Sequence, residues 1–191
     1  IAVNQADVII TNGTTVSLGV PPGGTTLNSI WNSLVITSNS VLNAASNFNA
    51  VHLNLVSLDI QAGGALRLDG QGSPANTGAA PGFTTFASSS GGSHGGLGST
   101  GTALGLNATQ TYDSLYSPNL PGSGGGSRTP TSGSAGGGVI ILSVTHALNV
   151  DGVLSADGSD AAMADAGGGA GGALSISAQT ITGHGRISAN G

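Results

Sequence analysis

Three residue types are absent from this chain: cysteine, lysine and glutamate. Without cysteine the protein has neither a disulfide scaffold nor thiol chemistry. Lysine and glutamate are strong helix formers that usually cover exposed helix faces, so their absence argues against a helical fold. All side-chain charge therefore rests on aspartate, arginine and histidine.

Charge, aromatic residues and long apolar runs are also scarce. The formal net charge is −5 and only 6% of the residues are charged. The three arginines, Arg67, Arg128 and Arg186, lie too far apart in sequence to form a local basic patch, so we expect no nucleic-acid partner. No stretch reaches the ~18 uninterrupted apolar residues of a membrane span, so we expect none.

Glycine is abundant, with 35 of the 191 residues. This is roughly two and a half times its usual share of ~7%. Serine, threonine and asparagine take the places that lysine and glutamate would occupy on a cytosolic protein. This composition is typical of cell-surface and matrix proteins and predicts an extracellular location.

A short pattern of two alternating apolar stretches separated by a turn occurs five times. The first three copies lie 26 residues apart (Val8 to Leu34) and then 24 residues apart (Leu34 to Leu58), and the last two lie 33 apart (Leu148 to Ile181). Such a period is typical of a solenoid, in which each coil buries its apolar side only against the next. We predict one all-β domain over residues 1–191, a right-handed parallel β-solenoid.

The ungapped alignment of the copies predicts which side chains stack. One internal column is expected to contain Ile10, Ile36, Ile60, Leu148 and Ile181, and a second Val16, Leu42, Leu66, Leu154 and Ile187. The residues that follow the first column should form an outward ladder of Thr11, Thr37, Gln61, Asn149 and Thr182. Glycine between the two strands of a coil indicates a bend that needs a positive φ or no side chain.

The rhythm stops over residues 71–138, which we interpret as a Gly/Ser-rich insertion within the domain. It holds more than half of the glycines, and Asp113 and Arg128 are its two charged residues. Interleaved apolar and aromatic residues favour a packed insertion over a floppy loop: Phe83, Phe86, Leu97, Leu104, Leu106, Tyr112, Leu115 and Tyr116.

The runs GGGVIILSVTHALNVDGVLSADG and GGALSISAQTITGHGRISANG, preceded by YDSLYSPNLPGSGGG, resemble the glycine-rich parallel β-helix segments of large secreted and cell-surface proteins. The likeness covers roughly residues 50–191. It implies an extracellular, passive, repetitive module with no catalytic residues.

Candidate chemistry is sparse, and we predict neither catalytic, cofactor-binding nor metal-binding residues. Gly183-His184-Gly185 with Arg186-Ile187 echoes polygalacturonase signatures, yet the chain has no Asp-Asp pair and no lysine. Asp69, Asp157 and Asn190 share one coil position, and Asp157, Asp160 and Asp165 are close in sequence. Calcium binding there is an open alternative, but turn chemistry is favoured.

Asn12-Gly13-Thr14 and Asn107-Ala108-Thr109 match the N-glycosylation sequon, so Asn12 and Asn107 are candidate modification sites. The interpretation that the sequence favours is a non-enzymatic, extracellular structural or adhesive protein, a self-assembling subunit of a surface filament or matrix. A homopolymer would form if the edge of the last coil paired with the Ile1 to Leu18 end of another copy. Cell-surface glycans are a further candidate partner. The alternatives are a carbohydrate-binding or carbohydrate-active module and an ice- or surface-binding protein.

Overall fold

The structure is a computed structural model that describes residues 6–19, 26–45, 49–84, 88–100, 110–128 and 133–191. These residues form ten β-strands and contain no helix. The strands are β1 (Asp7–Ile10), β2 (Thr15–Leu18), β3 (Thr26–Ile36), β4 (Val41–Ala44), β5 (Ala50–Ile60), β6 (Ala65–Arg67), β7 (Val139–Val150), β8 (Val153–Ser155), β9 (Ala173–Thr182) and β10 (Arg186–Ser188). The all-β prediction is confirmed.

The strands form two five-stranded sheets, and every pairing for which a register is resolved is parallel. One sheet has the order β1-β3-β5-β7-β9 and the other β10-β8-β6-β4-β2. Odd-numbered strands therefore lie in one sheet and even-numbered strands in the other. Consecutive strands along the chain alternate between the two sheets.

The chain divides into two compact units. The strand unit consists of Ile1–Arg67, Ile140–Ser155 and Ser175–Ser188. The glycine unit consists of Leu68–Val139, Ala156–Leu174 and Ala189–Gly191. The predicted insertion, 71–138, falls within the glycine unit, but that unit also takes in the shorter glycine-rich stretch that ends before β9. Three residues singled out in the insertion, Phe86, Leu104 and Leu106, lie outside the described residues.

The predicted apolar columns of the strand unit are largely confirmed by the register. Ile10 pairs with Ile36, and Ile36 with Ile60. The second column is complete, with Val16, Leu42, Leu66, Leu154 and Ile187 paired in succession. Leu66 and Leu154 are fully buried, as expected for inward residues. Ile187 is 45% exposed, because β10 is the terminal strand of its sheet and, among the described strands, none pairs with its outer edge.

The prediction for Leu148 was wrong by two residues. The carbonyl of Ile60 accepts hydrogen bonds from the N–H groups of Asp151 and Gly152, which places Val150, not Leu148, beside Ile60. The cause is a shorter turn. Four residues separate β5 from β6, whereas only Asp151 and Gly152 separate β7 from β8. An alignment without gaps cannot detect this difference.

The outward ladder shifts for the same reason. The side chain of Asn149 donates to Asp59 Oδ1 at 2.8 Å, so its neighbour is Asp59 and not Gln61. The predicted neighbours Asn149 and Thr182 do lie side by side, because the hydroxyl of Thr182 donates to Asn149 Oδ1 at 3.2 Å.

The turns of the strand unit use glycine in both expected ways. Gly13, Gly63 and Gly183 have positive φ angles of 67°, 82° and 113°. Gly152 and Gly185 have no such φ, but a Cβ on Gly152 would lie 2.2 Å from the carbonyl oxygen of Gly64, and one on Gly185 would lie 2.2 Å from that of Gly152. That separation excludes any side chain.

The glycine unit has a different interior, made of extended segments joined by backbone hydrogen bonds. Its central segment, 122–126, bonds to several neighbouring segments, and three of these are contacted at residues three apart. The bonds run from the N–H groups of Gly122 and Gly125 to the carbonyls of Gly137 and Ser134, from Ser73 and Asn76 to Gly122 and Gly125, and from Ala170 and Gly167 to Ser123 and Gly126. Three residues per turn is the period of the polyproline II helix, which has no internal hydrogen bonds and must find partners elsewhere.

Close approach explains why these segments are rich in glycine. A Cβ on Gly126 would lie 1.9 Å from the carbonyl oxygen of Phe83, and one on Gly125 would lie 2.1 Å from that of Gly167. Neither residue has a positive φ. Glycine is required here by the distance between backbones, as at the axis of collagen, and not by backbone conformation.

Candidate functional site

A cleft of about 560 Å³ lies within the glycine unit. Its lining comes from residues in three stretches, 91–99, 112–118 and 168–174, together with Ala189 and Gly191. Ten of the 22 lining residues are glycine. The side chains with polar chemistry at the cleft are few, and the central ones are His94, Tyr112 and Asp113.

His94 is buried and has a hydrogen-bond acceptor at each ring nitrogen. Its Nδ1 lies 3.0 Å from the carbonyl oxygen of Gly171 and 3.1 Å from that of Gly172. Its Nε2 lies 3.1 Å from Oδ2 of Asp113. The two side chains are 9% and 7% exposed. A neutral imidazole has one N–H, so only the imidazolium donates on both sides.

Asp113 organises the chain that follows it. Its Oδ2 accepts from the N–H groups of Asn119 and Leu120, both at 2.9 Å, and its Oδ1 accepts from that of Ser114 at 2.8 Å. Burial alone would raise the pKa of Asp113, but these N–H groups and His94 together outweigh burial and lower it. Asp113 is therefore an anion in the folded protein.

Asp113 also has an unusual backbone, with a φ of 74°. A non-glycine residue in this region carries a conformational cost, which the surrounding contacts must offset. The Ser114 hydroxyl adds two such contacts by accepting from the N–H groups of Tyr116 and Ser117. Residues 113–120, which we call the display loop, are thus held by side chains and not by a sheet.

Tyr112 supports the other side of His94. The two ring centroids lie 4.8 Å apart at 47°, and the N–H of Tyr112 donates to the carbonyl of His94. Its hydroxyl donates to the carbonyl of Pro121 and accepts from Ser123. Burial raises the pKa of Tyr112, with a smaller contribution from the charge on Asp113. Tyr112 is therefore a neutral phenol whose position is fixed.

The display loop presents large apolar side chains to solvent. Leu115 is 87% exposed and Tyr116 is 98% exposed. Leu115 lines the cleft. Leu97, from the stretch 91–99, also lines it, and its side chain is largely exposed as well. Scattered exposed apolar residues need no explanation in themselves, but Leu115 and Tyr116 lie on a strained and hydrogen-bonded loop.

Two of the acidic positions weighed for calcium accept hydrogen bonds from the backbone of a neighbouring segment. Asp69 Oδ1 accepts from the N–H of Asp157 at 2.8 Å, and Asp157 Oδ1 accepts from the N–H of Asn190 at 2.7 Å. Asp165 pairs with Arg128 at 3.1 Å on the surface, and Asp160 is exposed. Within the described ranges, no three histidine, aspartate, glutamate or cysteine side chains are grouped as ligands of a metal ion would be.

The polygalacturonase-like motif lies on the strand unit and is open to solvent. His184 is fully exposed, and its Nδ1 is 3.6 Å from Oδ1 of Asp151. The backbone N–H of His184 donates to the same carboxylate, and the side chain of Asn149 donates to its other oxygen. These hydrogen bonds, that of Asn149 being the larger influence, lower the pKa of Asp151. These hydrogen bonds join the turn at Asp151 to the turn at His184 and have the form of a structural ladder.

Of the two candidate glycosylation sites, Asn12 lies in an exposed turn with a φ of 61°. Asn107 lies outside the described residues.

The sequence reasoning missed the His94–Asp113 pair. Both residues were visible, but 19 positions separate them and low-complexity sequence surrounds them. The usable signal was the charge pattern, because Asp113 is one of only two charged residues in a stretch of 68 that also contains a single histidine.

No helix in the part of the chain that the structure describes is long and apolar enough to cross a membrane. No protein-family model, curated protein or solved structure matches the chain.

Proposed function

We propose that the protein is an extracellular structural or adhesive β-solenoid with no catalytic role. The observation that carries the proposal is the alternation of consecutive strands between two parallel sheets with stacked apolar columns. A chain that alternates in this way adds one strand to each sheet per coil, which is the topology of a solenoid. The right hand follows from the strong preference of parallel β crossovers.

The passive character of the strand unit supports a structural role. Its outward residues form ladders in which amides, hydroxyls and carboxylates bond to each other, as in Asp59–Asn149–Thr182. At the start of the chain, Asn32 and Ser33 both donate to Asp7 at 2.7 and 2.6 Å. Polar groups that satisfy each other are not poised to bind or transform a substrate. They extend the solenoid surface from one coil to the next.

The adhesive part of the proposal rests on the display loop. Antibody contact loops combine tyrosine for rigid contact area with serine, glycine and asparagine for adaptable hydrogen bonding. The display loop and the glycine-rich wall of the cleft have this composition. Binding to glycans or to another surface polymer is therefore the contact that we assign to Leu115 and Tyr116.

Self-assembly is the second part of the proposal. The terminal strands of the two sheets carry half-exposed apolar side chains in register with buried side chains of the neighbouring strands: Val16, Ile181 and Ile187. A second copy that adds its β1 and β2 to β9 and β10 would bury them. The contact is heterologous, so it extends into a filament instead of closing as a dimer.

The test of assembly compares the unchanged chain with an edge variant, Ile187→Lys with Ser188→Pro, by electron microscopy and light scattering. We expect filaments from the unchanged chain and monomers from the variant, because proline removes a donor and lysine places a charge in the column. Gly96→Ala, which meets no atom within 4 Å, is the control and should leave filaments intact. A monomeric unchanged chain at all concentrations would show that assembly is wrong.

Carbohydrate binding without assembly is the second candidate function, favoured by the exposed Tyr116 beside the cleft. A glycan array with the Tyr116→Ala variant separates the two. Binding that depends on Tyr116, by a chain that stays monomeric, would favour the second candidate.

A further inference from the structure

We propose that His94 is a pH-sensitive latch, whose imidazolium joins the carbonyls of Gly171 and Gly172 to Asp113 and so holds the display loop in place. The latch concerns the order of the loop and stands apart from what the loop binds. Only its consequence for adhesion rests on the proposed function.

The protonation state follows from the partners of the ring. Backbone carbonyls are acceptors only, and so is an ionised carboxylate. Nδ1 faces two carbonyl oxygens and Nε2 faces Oδ2 of Asp113, all within 3.1 Å. Removing either proton would direct a nitrogen lone pair at an acceptor inside a buried site. Rotation of the ring by 180° exchanges carbon for nitrogen positions and would also break these contacts.

The other titratable groups at the site keep their charge while His94 changes. Asp113 faces Nε2 and, with its lowered pKa, stays ionised in neutral solution. Tyr112 stacks against the ring and, with its raised pKa, stays neutral. Among the described residues, these are the titratable groups that contact the His94 side chain. Asp113 and Tyr112 therefore contribute no change of charge of their own between neutral and mildly alkaline solution.

The loss of that proton would act on the loop through Asp113. The carboxylate binds the N–H groups of Ser114, Asn119 and Leu120, and the latch ties it to the segment 171–172. Without the imidazolium, Asp113 would keep its φ of 74° and its desolvated charge but lose its cationic partner. We expect the display loop to be ordered in acidic and neutral solution and to loosen as the pH rises.

The experiment is an NMR titration of the unchanged chain from about pH 5 to about pH 9, the range in which histidines exchange a proton. Two slowly exchanging ring N–H protons on His94 are expected at the acidic end. The hydrogen-exchange protection of Asn119 and Leu120, corrected for intrinsic base catalysis, should fall at least about tenfold as those ring protons are lost. The amide of Gly125, in the central segment 122–126 of the glycine unit, should keep its protection.

His184→Gln is the matched control, since it removes a histidine that lies near an aspartate but is fully exposed. It should leave the titration of Asn119 and Leu120 unchanged, whereas His94→Gln should abolish their pH dependence. A single ring proton on His94 at the acidic end, or protection that does not change with pH in the unchanged chain, would overturn the latch. Both of these contradicting outcomes are measured on the unchanged chain, so they do not depend on whether a variant folds.

Adhesion is scored separately, as retention on the glycan or surface that the unchanged chain binds. Retention that falls with the same pH midpoint as loop order supports both ideas. An intact latch without any pH-dependent retention contradicts only the role of the display loop in adhesion.

Discussion

The strand unit and the glycine unit have opposite interiors. In the strand unit the fully buried side chains are large and aliphatic, such as Leu34, Ile36 and Leu154. In the described part of the glycine unit, Leu68 and Val139 are the only large aliphatic side chains that are buried, and the remaining interior is glycine, alanine, serine and His94. One unit removes apolar area from water, and the other satisfies backbone N–H and C=O groups against each other.

The difference shows that a polypeptide can be compact without a conventional core. Glycine loses more conformational freedom on folding than any other residue, so the entropy cost of each ordered glycine must be offset by favourable contacts. The close approach of backbones provides the offset, since every segment donates to several neighbours. We therefore expect the glycine unit to tolerate changes of side chains well and additions of a Cβ poorly.

The largest effect should come from Gly126→Ala, whose Cβ would lie 1.9 Å from the carbonyl oxygen of Phe83. We expect a loss of more than about 3 kcal/mol in the free energy of unfolding, because the obstruction is backbone and cannot rotate away. Denaturant unfolding measures it, and Gly96→Ala is the control. If both variants unfold alike, close packing is not what requires glycine.

Leu154→Ala tests the interior of the strand unit. This fully buried side chain should cost about 3 kcal/mol, the usual range for a large aliphatic residue cut to alanine. Ile187→Ala, in the same column but about half exposed, should cost about 1 kcal/mol. Equal costs would contradict the burial of the column.

Asp113→Asn tests the buried His94–Asp113 pair of the glycine unit. Removing the charge of Asp113 should cost about 2 kcal/mol, because the buried ring of His94 loses its charged hydrogen-bond acceptor. The folded protein lowers the pKa of Asp113 from its ordinary value of 3.8. Its contribution is therefore complete above that value and is lost as the pH falls through the folded pKa.

Thermal unfolding of the unchanged chain and of Asp113→Asn, between neutral and strongly acidic pH, checks the direction of this pH dependence. The unchanged chain should be the more stable at neutral pH, and the two proteins should converge in acid. A difference that persists at the lowest pH would mean that the charge of Asp113 contributes nothing.

The smallest effect should come from Asp157→Ala, which removes the cap on the N–H of Asn190. One hydrogen bond to an exposed carboxylate corresponds to about 1 kcal/mol. A loss as large as that from Gly126→Ala would mean that side chains, and not backbones, hold the glycine unit.

Much of the strand unit was predictable from sequence, and little of the glycine unit was. Period-2 alternation identified the strands and the column from Val16 to Ile187, because apolar burial leaves a periodic trace. The two-residue slip at Leu148 arose because a shortened turn leaves no trace in the apolar pattern. In the glycine unit the contacts are between backbones, which every residue has, so composition indicates the kind of packing but not the pairing.

The His94–Asp113 pair escaped prediction for a related reason. Its geometry depends on where Gly171 and Gly172 lie, and those residues are brought to the cleft by backbone bonds without a sequence signature.

The central claim is that backbone hydrogen bonds with a three-residue period hold the glycine unit, and native-state hydrogen exchange tests it most directly. The account predicts that the amides of Gly122 and Gly125, which donate to Gly137 and Ser134, are protected to a degree similar to that of Gln61, which donates to Ile36 in the strand unit. Exchange of those two glycine amides at the rate of an unstructured peptide, while Gln61 remains protected, would contradict it.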